Sequence, residues 1–250
     1  LSDRNTGADR VPVPSLLATG GVHHHLVRSG LRNQVGLVVE SGDPRAVHHF
    51  ATLIGYGAGA VNPYLAYQTI EDLVAGPDGA NLRTAIDAYV NAVEDGLLKT
   101  MAKMGISTVE SYQGAQIFEA VGLSSSLIEE YFPGTENRTE GIGIEEIESD
   151  LTARHGHAWD DDAEMERVGE YENRTGGIHH QWNPDTVGTV QQAVRTGDYE
   201  RYREFADQVN DQNETLQTLR GLLEFDTEGR ESVRAEEAAP VSEAVTRFET

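Results

Sequence analysis

Cysteine is missing from all 250 residues. That absence excludes a disulfide scaffold, thiolate-bound zinc, cysteinyl ligation of an iron–sulfur cluster and a cysteine nucleophile from these residues. Long apolar runs are missing as well: none approaches the roughly 20 residues that a helix needs to cross a bilayer. Lysine is nearly absent, with only Lys99 and Lys103 beside seventeen arginines. Cations as a class are scarce, 19 against 42 acids, for a formal net charge of −23. A chain this acidic repels nucleic-acid phosphates and anionic membrane surfaces, so neither is expected as a partner. The acids are spread along the whole length rather than gathered in a tail, and arginine is the more weakly hydrated cation. The balance is therefore read as a protein surface adapted to high salt rather than as an acidic interaction module. The chain opens on Leu1 without a basic-then-apolar leader, which suggests a piece of a longer polypeptide.

What is present reads as α/β. Helix-like apolar spacing runs from Pro14 to Arg28, and Gly30 suits its stop. The β-branched run Gln34–Glu40 reads as a buried parallel strand. Ser41-Gly-Asp-Pro44 is a turn, with Asp43 as the capping residue of a helix from Pro44 to about Ile54. Gly55-Tyr-Gly-Ala-Gly59 breaks that helix and leads to a short strand, Ala58–Val61. A helix over Tyr67–Val74 follows, then a long one capped by Asn81 and ended by Gly105, with Gly96 as its weak point. A strand over Ile106–Val109 and helices over Ala115–Val121 and Ser124–Phe132 complete the alternation. The stretch from Glu136 to Glu172 reads as acidic loop, including Asp160-Asp-Asp162. Helices return from Asn183, with a break at Arg195–Asp198. Thr227–Pro240 reads as an exposed connector, and Val241–Phe248 begins a further element. The alternation argues a parallel sheet or a partial (β/α) barrel-like unit over residues 1–134, followed by an acidic loop-rich connector over 135–182 and a mostly helical connecting segment over 183–250.

Few residues present chemistry. The runs His23-His24-His25, His48-His49 and His179-His180 invite a metal, but neighbours on a helix point about 100° apart, whereas ligand pairs prefer positions three or four apart. No metal site is therefore expected, and the histidines read as hydrogen-bonding spacers between packed layers. Glu40 is the best single catalytic candidate, because it ends an apolar strand where α/β folds place their sites. Ser41-Gly42 beside it could receive an anion, which Asp43 would oppose. The structural alternative has Glu40 pairing with Arg32, Arg45 or a loop amide. The glycine-rich Gly55–Gly59 string follows a helix and precedes a strand, the wrong order for a phosphate loop, and reads as a tight connection.

Several long strings nevertheless point one way. They are Val13-Pro-Ser-Leu-Leu-Ala18, Val22-His-His-His-Leu26, Gly36-Leu-Val-Val-Glu-Ser-Gly42 and Val47-His-His-Phe50. With them go Leu53-Ile-Gly-Tyr-Gly-Ala-Gly-Ala-Val-Asn-Pro-Tyr64, Met104-Gly-Ile-Ser-Thr108, Ser111–Leu123, Asn183-Pro and Thr218–Phe225. Together they resemble the large (alpha) chain of glutamate synthase. That resemblance implies an enzyme making two glutamates from glutamine, 2-oxoglutarate and reductant. It implies an amidohydrolase domain before the present residues and an FMN-binding (β/α)8 synthase domain after them. A 3Fe–4S cluster would pass electrons in from ferredoxin or from an NADPH-dependent small subunit. The present residues correspond to the family's central domain and the lead into the synthase domain. The family's nucleophilic cysteine, cluster cysteines and FMN loops have no counterpart here. No catalytic, cofactor-binding or metal residue is thus carried onto a position of this sequence, and the expected role is structural, in a cytoplasmic protein of a salt-adapted organism. The rival is a free-standing (β/α)-type small-molecule enzyme centred on Glu40.

Overall fold

The structure, a computed structural model, describes residues 1–76, 81–160, 168–214, 218, 221, 223, 229, 231–234 and 237–247. It divides into two compact units, residues 1–163 and 164–250. In the first, helix α1 (Ser15–Arg28) precedes strand β1 (Val38–Glu40), helix α2 (Val47–Gly55) and strand β2 (Ala60–Asn62). Helices α3 (Tyr64–Val74), α4 (Leu82–Met104) and α5 (Val109–Tyr112) follow. Strand β3 (Glu119–Ala120), helix α6 (Ser125–Tyr131), strand β4 (Glu136–Asn137) and helix α7 (Ile144–Ala158) complete the unit.

The β1–α2–β2 passage is a parallel crossover, with Val38 beside Ala60 and Glu40 beside Asn62. A second parallel pair joins β3 to β4. Val39 is buried between Leu53 and Ala58, and Leu16 of α1 packs on this cluster. Leu16 also reaches a second cluster around Leu127, Ile128 and Phe132 of the α6 segment, so α1 ties the two together. Two glycines set the spacing. A Cβ at Gly20 would lie 2.6 Å from the Tyr131 carbonyl oxygen, which lets α1 and the end of α6 touch. Gly96 admits Val47, whose Cγ2 would sit 2.4 Å from a Cβ there, and α4 crosses α2 at that point. The residue that weakens α4 as an isolated helix is the one that allows it to pack.

In the second unit, α8 (Pro184–Thr196) and α9 (Tyr199–Glu214) form a helical pair, and α10 (Val241–Thr246) follows. The Asn183 carboxamide accepts from the amides of Asp185 and Thr186, and Gly197 ends α8 at φ +67.

Four expectations need correction. Among the described residues the strands form two separate two-stranded sheets and no barrel; strands of two or three residues bring too little ladder to close one. The stretch Ile106–Val109 is not a strand: the Thr108 hydroxyl accepts from the Ser111 amide and starts α5, so capping chemistry overrides β-branched propensity. Residues 115–121 are not a helix. Gly114 at φ +72 and Gln116 at φ +53 turn the backbone away, and Glu119–Ala120 join β4 instead. Finally, the acidic stretch after Glu136 contains the 15-residue helix α7, whose Glu146 carboxylate accepts from the Gly143 amide. Asp161, Asp162, most of Thr218–Phe225 and part of Thr227–Pro240 lie outside the described residues.

Candidate functional site

Glu40 stands at the end of β1, as its sequence position suggested. Its Oε1 accepts from Arg4 Nε at 2.6 Å and from Asn62 Nδ2 at 3.2 Å, and its Oε2 accepts from the Ser2 hydroxyl at 2.7 Å. The hydrogen bonds from Arg4 and Ser2 hold its carboxyl below the usual carboxylate range. A carboxylate so occupied is a poor general base, which needs a free lone pair and a pKa near the working pH. The partner is Arg4, not Arg32 or Arg45, and the contact is an anchor. It draws residues 1–4 onto the strand, where Ser2 bridges Glu40 in parallel.

The anion expected at Ser41-Gly42 is supplied by the chain itself. The Asp3 carboxylate accepts from the Ser41 hydroxyl at 2.6 Å and from the Gly42 amide at 3.1 Å. Burial, and the Asp3 carboxylate beside it, push the Tyr64 phenol up to about 12, while the Arg4 guanidinium lies over the Tyr64 ring at 4.3 Å. Asp43 caps a helix, but not the one expected. Its carboxylate accepts from the Ser15 amide at 2.9 Å at the start of α1, whereas α2 begins only at Val47. Asp43 thus joins the β1 turn to a helix 28 positions earlier.

Several of the histidines are also engaged. His23 Nδ1 accepts from Arg32 Nε at 2.9 Å, and the same guanidinium donates to the carbonyls of Val35 and Gly57. Burial, with His24 and Arg32 nearby, lowers His23 to about 4, so it is neutral at pH 7. Gly57 lies against it at φ +109, where a Cβ would come 2.3 Å from His23 Nδ1. His49 Nδ1 accepts from the amides of Arg45 and Ala46 and so covers the start of α2, and His48 meets Phe118 edge-on. In the second unit, His180 Nε2 lies 2.7 Å from the Gly169 carbonyl oxygen. Among the described residues no group of three His, Asp or Glu side chains is arranged to hold a metal ion.

Two depressions of the first unit adjoin these residues. One, of about 290 Å³, lies between residues 1–13 and β1, with Arg10, Val11, Val39 and Glu40 in its walls. The other, of about 240 Å³, is walled by His23, Tyr56, Tyr112 and Phe118. There Tyr56 shares a 2.6 Å hydrogen bond with Thr135, and burial raises both phenols. Sequence reasoning missed Ser2, Asp3 and Arg4 entirely, because each acts on a residue some 36 to 39 positions away. Among the described residues no helix is long and apolar enough to cross a membrane.

Comparison with known proteins adds the following. Residues 1–124 match the glutamate synthase central domain. The NADPH-type glutamate synthase large chain of Bacillus subtilis is 42% identical over 253 residues, covering 100% of this chain and 16% of that protein. The NADH-type glutamate synthase of Schizosaccharomyces pombe is 42% identical over 256 residues, covering 99% of this chain and 12% of that protein. Ferredoxin-dependent glutamate synthase 2 of Synechocystis is 36% identical over 274 residues, with 99% and 17% covered. The chain therefore spans only 12 to 17% of the length of these curated relatives.

Proposed function

We propose, from the match of residues 1–124 to the glutamate synthase central domain, that the chain is a non-catalytic part of a glutamate synthase large chain. It holds an ammonia-releasing amidohydrolase domain and an FMN-binding synthase domain at fixed spacing. An intermediate passed between two sites needs their geometry held more than it needs another reactive group along the way. The whole protein would form two glutamates from glutamine, 2-oxoglutarate and reductant supplied by ferredoxin or an NADPH-dependent small subunit, in the cytoplasm. Within this division of labour, residues 1–134 are the end of the central domain, 135–182 the connector and 183–250 the lead into the synthase domain.

The observation that carries the reading is the mutual satisfaction of the polar groups at the strand ends, where α/β enzymes keep groups free for substrate. Glu40, Asp3, Asp43 and His23 are all spent on neighbours in the chain. The residues present do not fit the family's cofactors either. A cysteine-free sequence offers no thiolate to a 3Fe–4S cluster, and the hydroxyl and amide of Ser41-Gly42 that could face a flavin phosphate are filled by Asp3. FMN and the cluster would accordingly be held by other parts of the large chain. The acidic, lysine-poor surface supports an origin in a salt-adapted organism.

The test uses the full polypeptide and compares glutamine hydrolysed with glutamate formed. Glu40→Gln should leave both rates near wild type. Gly57→Val, which forces α1 and the α2–β2 connection apart at His23, should let hydrolysis outrun glutamate formation. Loss of all turnover in Glu40→Gln with the fold intact would overturn the structural role in favour of a site centred on Glu40.

A further inference from the structure

The depression of about 240 Å³ beside His23 is walled from three directions. His23, His24 and Val27 come from α1, Tyr56 from the end of α2, and Tyr112 and Phe118 from α5 and the segment after it. Gly55 admits the Phe118 ring, whose Cε2 would lie 2.6 Å from a Cβ there. Phe118 stacks on Tyr56 at 5.9 Å and meets Tyr112 edge-on at 6.4 Å. The chain has 42 acids, yet among the described residues no Asp, Glu, Lys or Arg lines this depression.

Two hydrogen-bonding groups of its walls are unspent. Tyr112 is 1% exposed, and its hydroxyl has no partner among the described residues. A phenylalanine would fill the same space without stranding a polar atom, so packing does not account for the hydroxyl. His23 is spent on one side only. Its Nδ1 accepts from Arg32 Nε at 2.9 Å and is the ring atom closest to Gly57. In the neutral ring the proton is therefore on Nε2, which makes no hydrogen bond to a described residue. Arg28 and Arg32 stand nearby, but their guanidiniums already donate to backbone carbonyls and do not line the depression. The unspent groups are thus neutral donors set among aromatic faces. An ion entering here would give up its hydration without meeting an opposite charge, whereas a neutral ring would stack and its carbonyl would gain donors. The volume lies below the roughly 300–1,000 Å³ of sites for drug-sized ligands, so a single ring is the scale of the occupant. One wall, residues 114–118, belongs to no helix or strand. It carries Gln116 at φ +53, the one non-glycine positive φ among the described residues. Backbone held in that region costs energy and recurs at ligand sites.

We propose that this depression is a binding site for a small neutral aromatic amide. Its carbonyl oxygen accepts from His23 Nε2 and from the Tyr112 hydroxyl, its ring lies against Tyr56 and Phe118, and the irregular wall yields to let the carbonyl reach the buried hydroxyl. Glutamine and 2-oxoglutarate both carry charges, so the occupant is a ligand other than the substrates of the proposed reaction.

Benzamide is the probe, with benzoate and benzylammonium as charged controls on the same ring, read by saturation-transfer NMR on the full polypeptide. Benzamide should bind at least about tenfold more tightly than either control. Val27→Trp fills the depression from a position 50% exposed, and should abolish that binding while keeping the wild-type melting temperature. Tyr112→Phe should weaken benzamide about tenfold, yet raise the melting temperature of the unliganded protein by removing a stranded hydroxyl. Should Val27→Trp fail to fold, Tyr112→Phe decides alone. No binding of benzamide, equal binding of either control, full affinity in either variant, or a lowered melting temperature in Tyr112→Phe would each overturn the proposal.

Discussion

Glu40 at the end of β1 and Asn183 at the start of α8 both collect hydrogen bonds on a side-chain carbonyl or carboxylate, but over opposite distances along the chain. Glu40 is held by Ser2 and Arg4, 38 and 36 positions away, with Asp3 doing the same for Ser41 and Gly42. Asn183 is met by the amides two and three positions on, and Thr186 answers by accepting from the Asn183 amide. The first arrangement exists only when distant parts of the chain are already together; the second is written into four consecutive residues. The β1–β2 region should therefore fail as a whole when its packing is disturbed, and α8 should fail locally.

The largest effect is expected at Gly57. A valine there combines a strained positive φ with a clash against His23, together about 3 to 5 kcal/mol. Amide exchange across β1, α2 and β2 should accelerate together in Gly57→Val; acceleration confined to the α2–β2 turn would contradict the cooperative picture. Leu53→Ala comes next, since Leu53 is 1% exposed in the Val39 cluster and its loss should cost about 3 kcal/mol in a denaturant titration. Asn183→Ala should cost about 1 kcal/mol, with exchange faster in the first turn of α8 and unchanged in β1.

Protonation probes the same contrast. His23 sits near 4 in the folded chain against an ordinary 6.5, so folding favours its neutral form. Its contribution is complete above pH 6.5 and is lost as pH falls from 6.5 toward 4. His23→Gln, which can still accept from Arg32, should flatten the melting temperature over that window. An unchanged slope would mean that other groups carry it. The smallest effect belongs to Arg4→Gln. Glu40 is depressed, so its contribution is present above its unfolded value and disappears as pH falls below it. The Arg4–Glu40 pair is partly exposed, so removing it should lower the melting temperature only slightly at pH 7 and less still in acid.

This contrast also explains what could be read before any coordinates. The long helix between Asn81 and Gly105 was legible at both ends: Asn81 accepts from the amides of Arg83 and Thr84, and Gly105 stops the helix at φ +70. Asn183, Pro184 and Gly197 delimit α8 for the same reason, because a cap needs only its own neighbours. Asp43 looked like the same kind of signal, yet its carboxylate reaches Ser15; sequence can show that a residue caps without showing which helix. The strand β3 was illegible because its partner lies 17 positions on, and α7 because composition masked a helix whose start depends on Gly143 and Glu146. At the candidate site, Glu40 was found and a pairing function was expected for it, though with Arg32, Arg45 or a loop amide rather than with Arg4. The residues that decide that function, Ser2, Arg4 and Asn62, carry no local pattern at all.

The placement of both lysines in one stretch of α4 has a practical corollary. An endoprotease that cuts only after lysine finds two susceptible peptide bonds in these 250 residues, following Lys99 and Lys103. Both bonds are wound into helix, and a protease must draw several residues into an extended shape before it can cut. Nicking by such an enzyme therefore measures how often the end of α4 unwinds, one site reporting one opening event. With arginine everywhere else, the rest of the chain is silent in that assay, so the native protein carries its own gauge of local fraying with no substitution introduced.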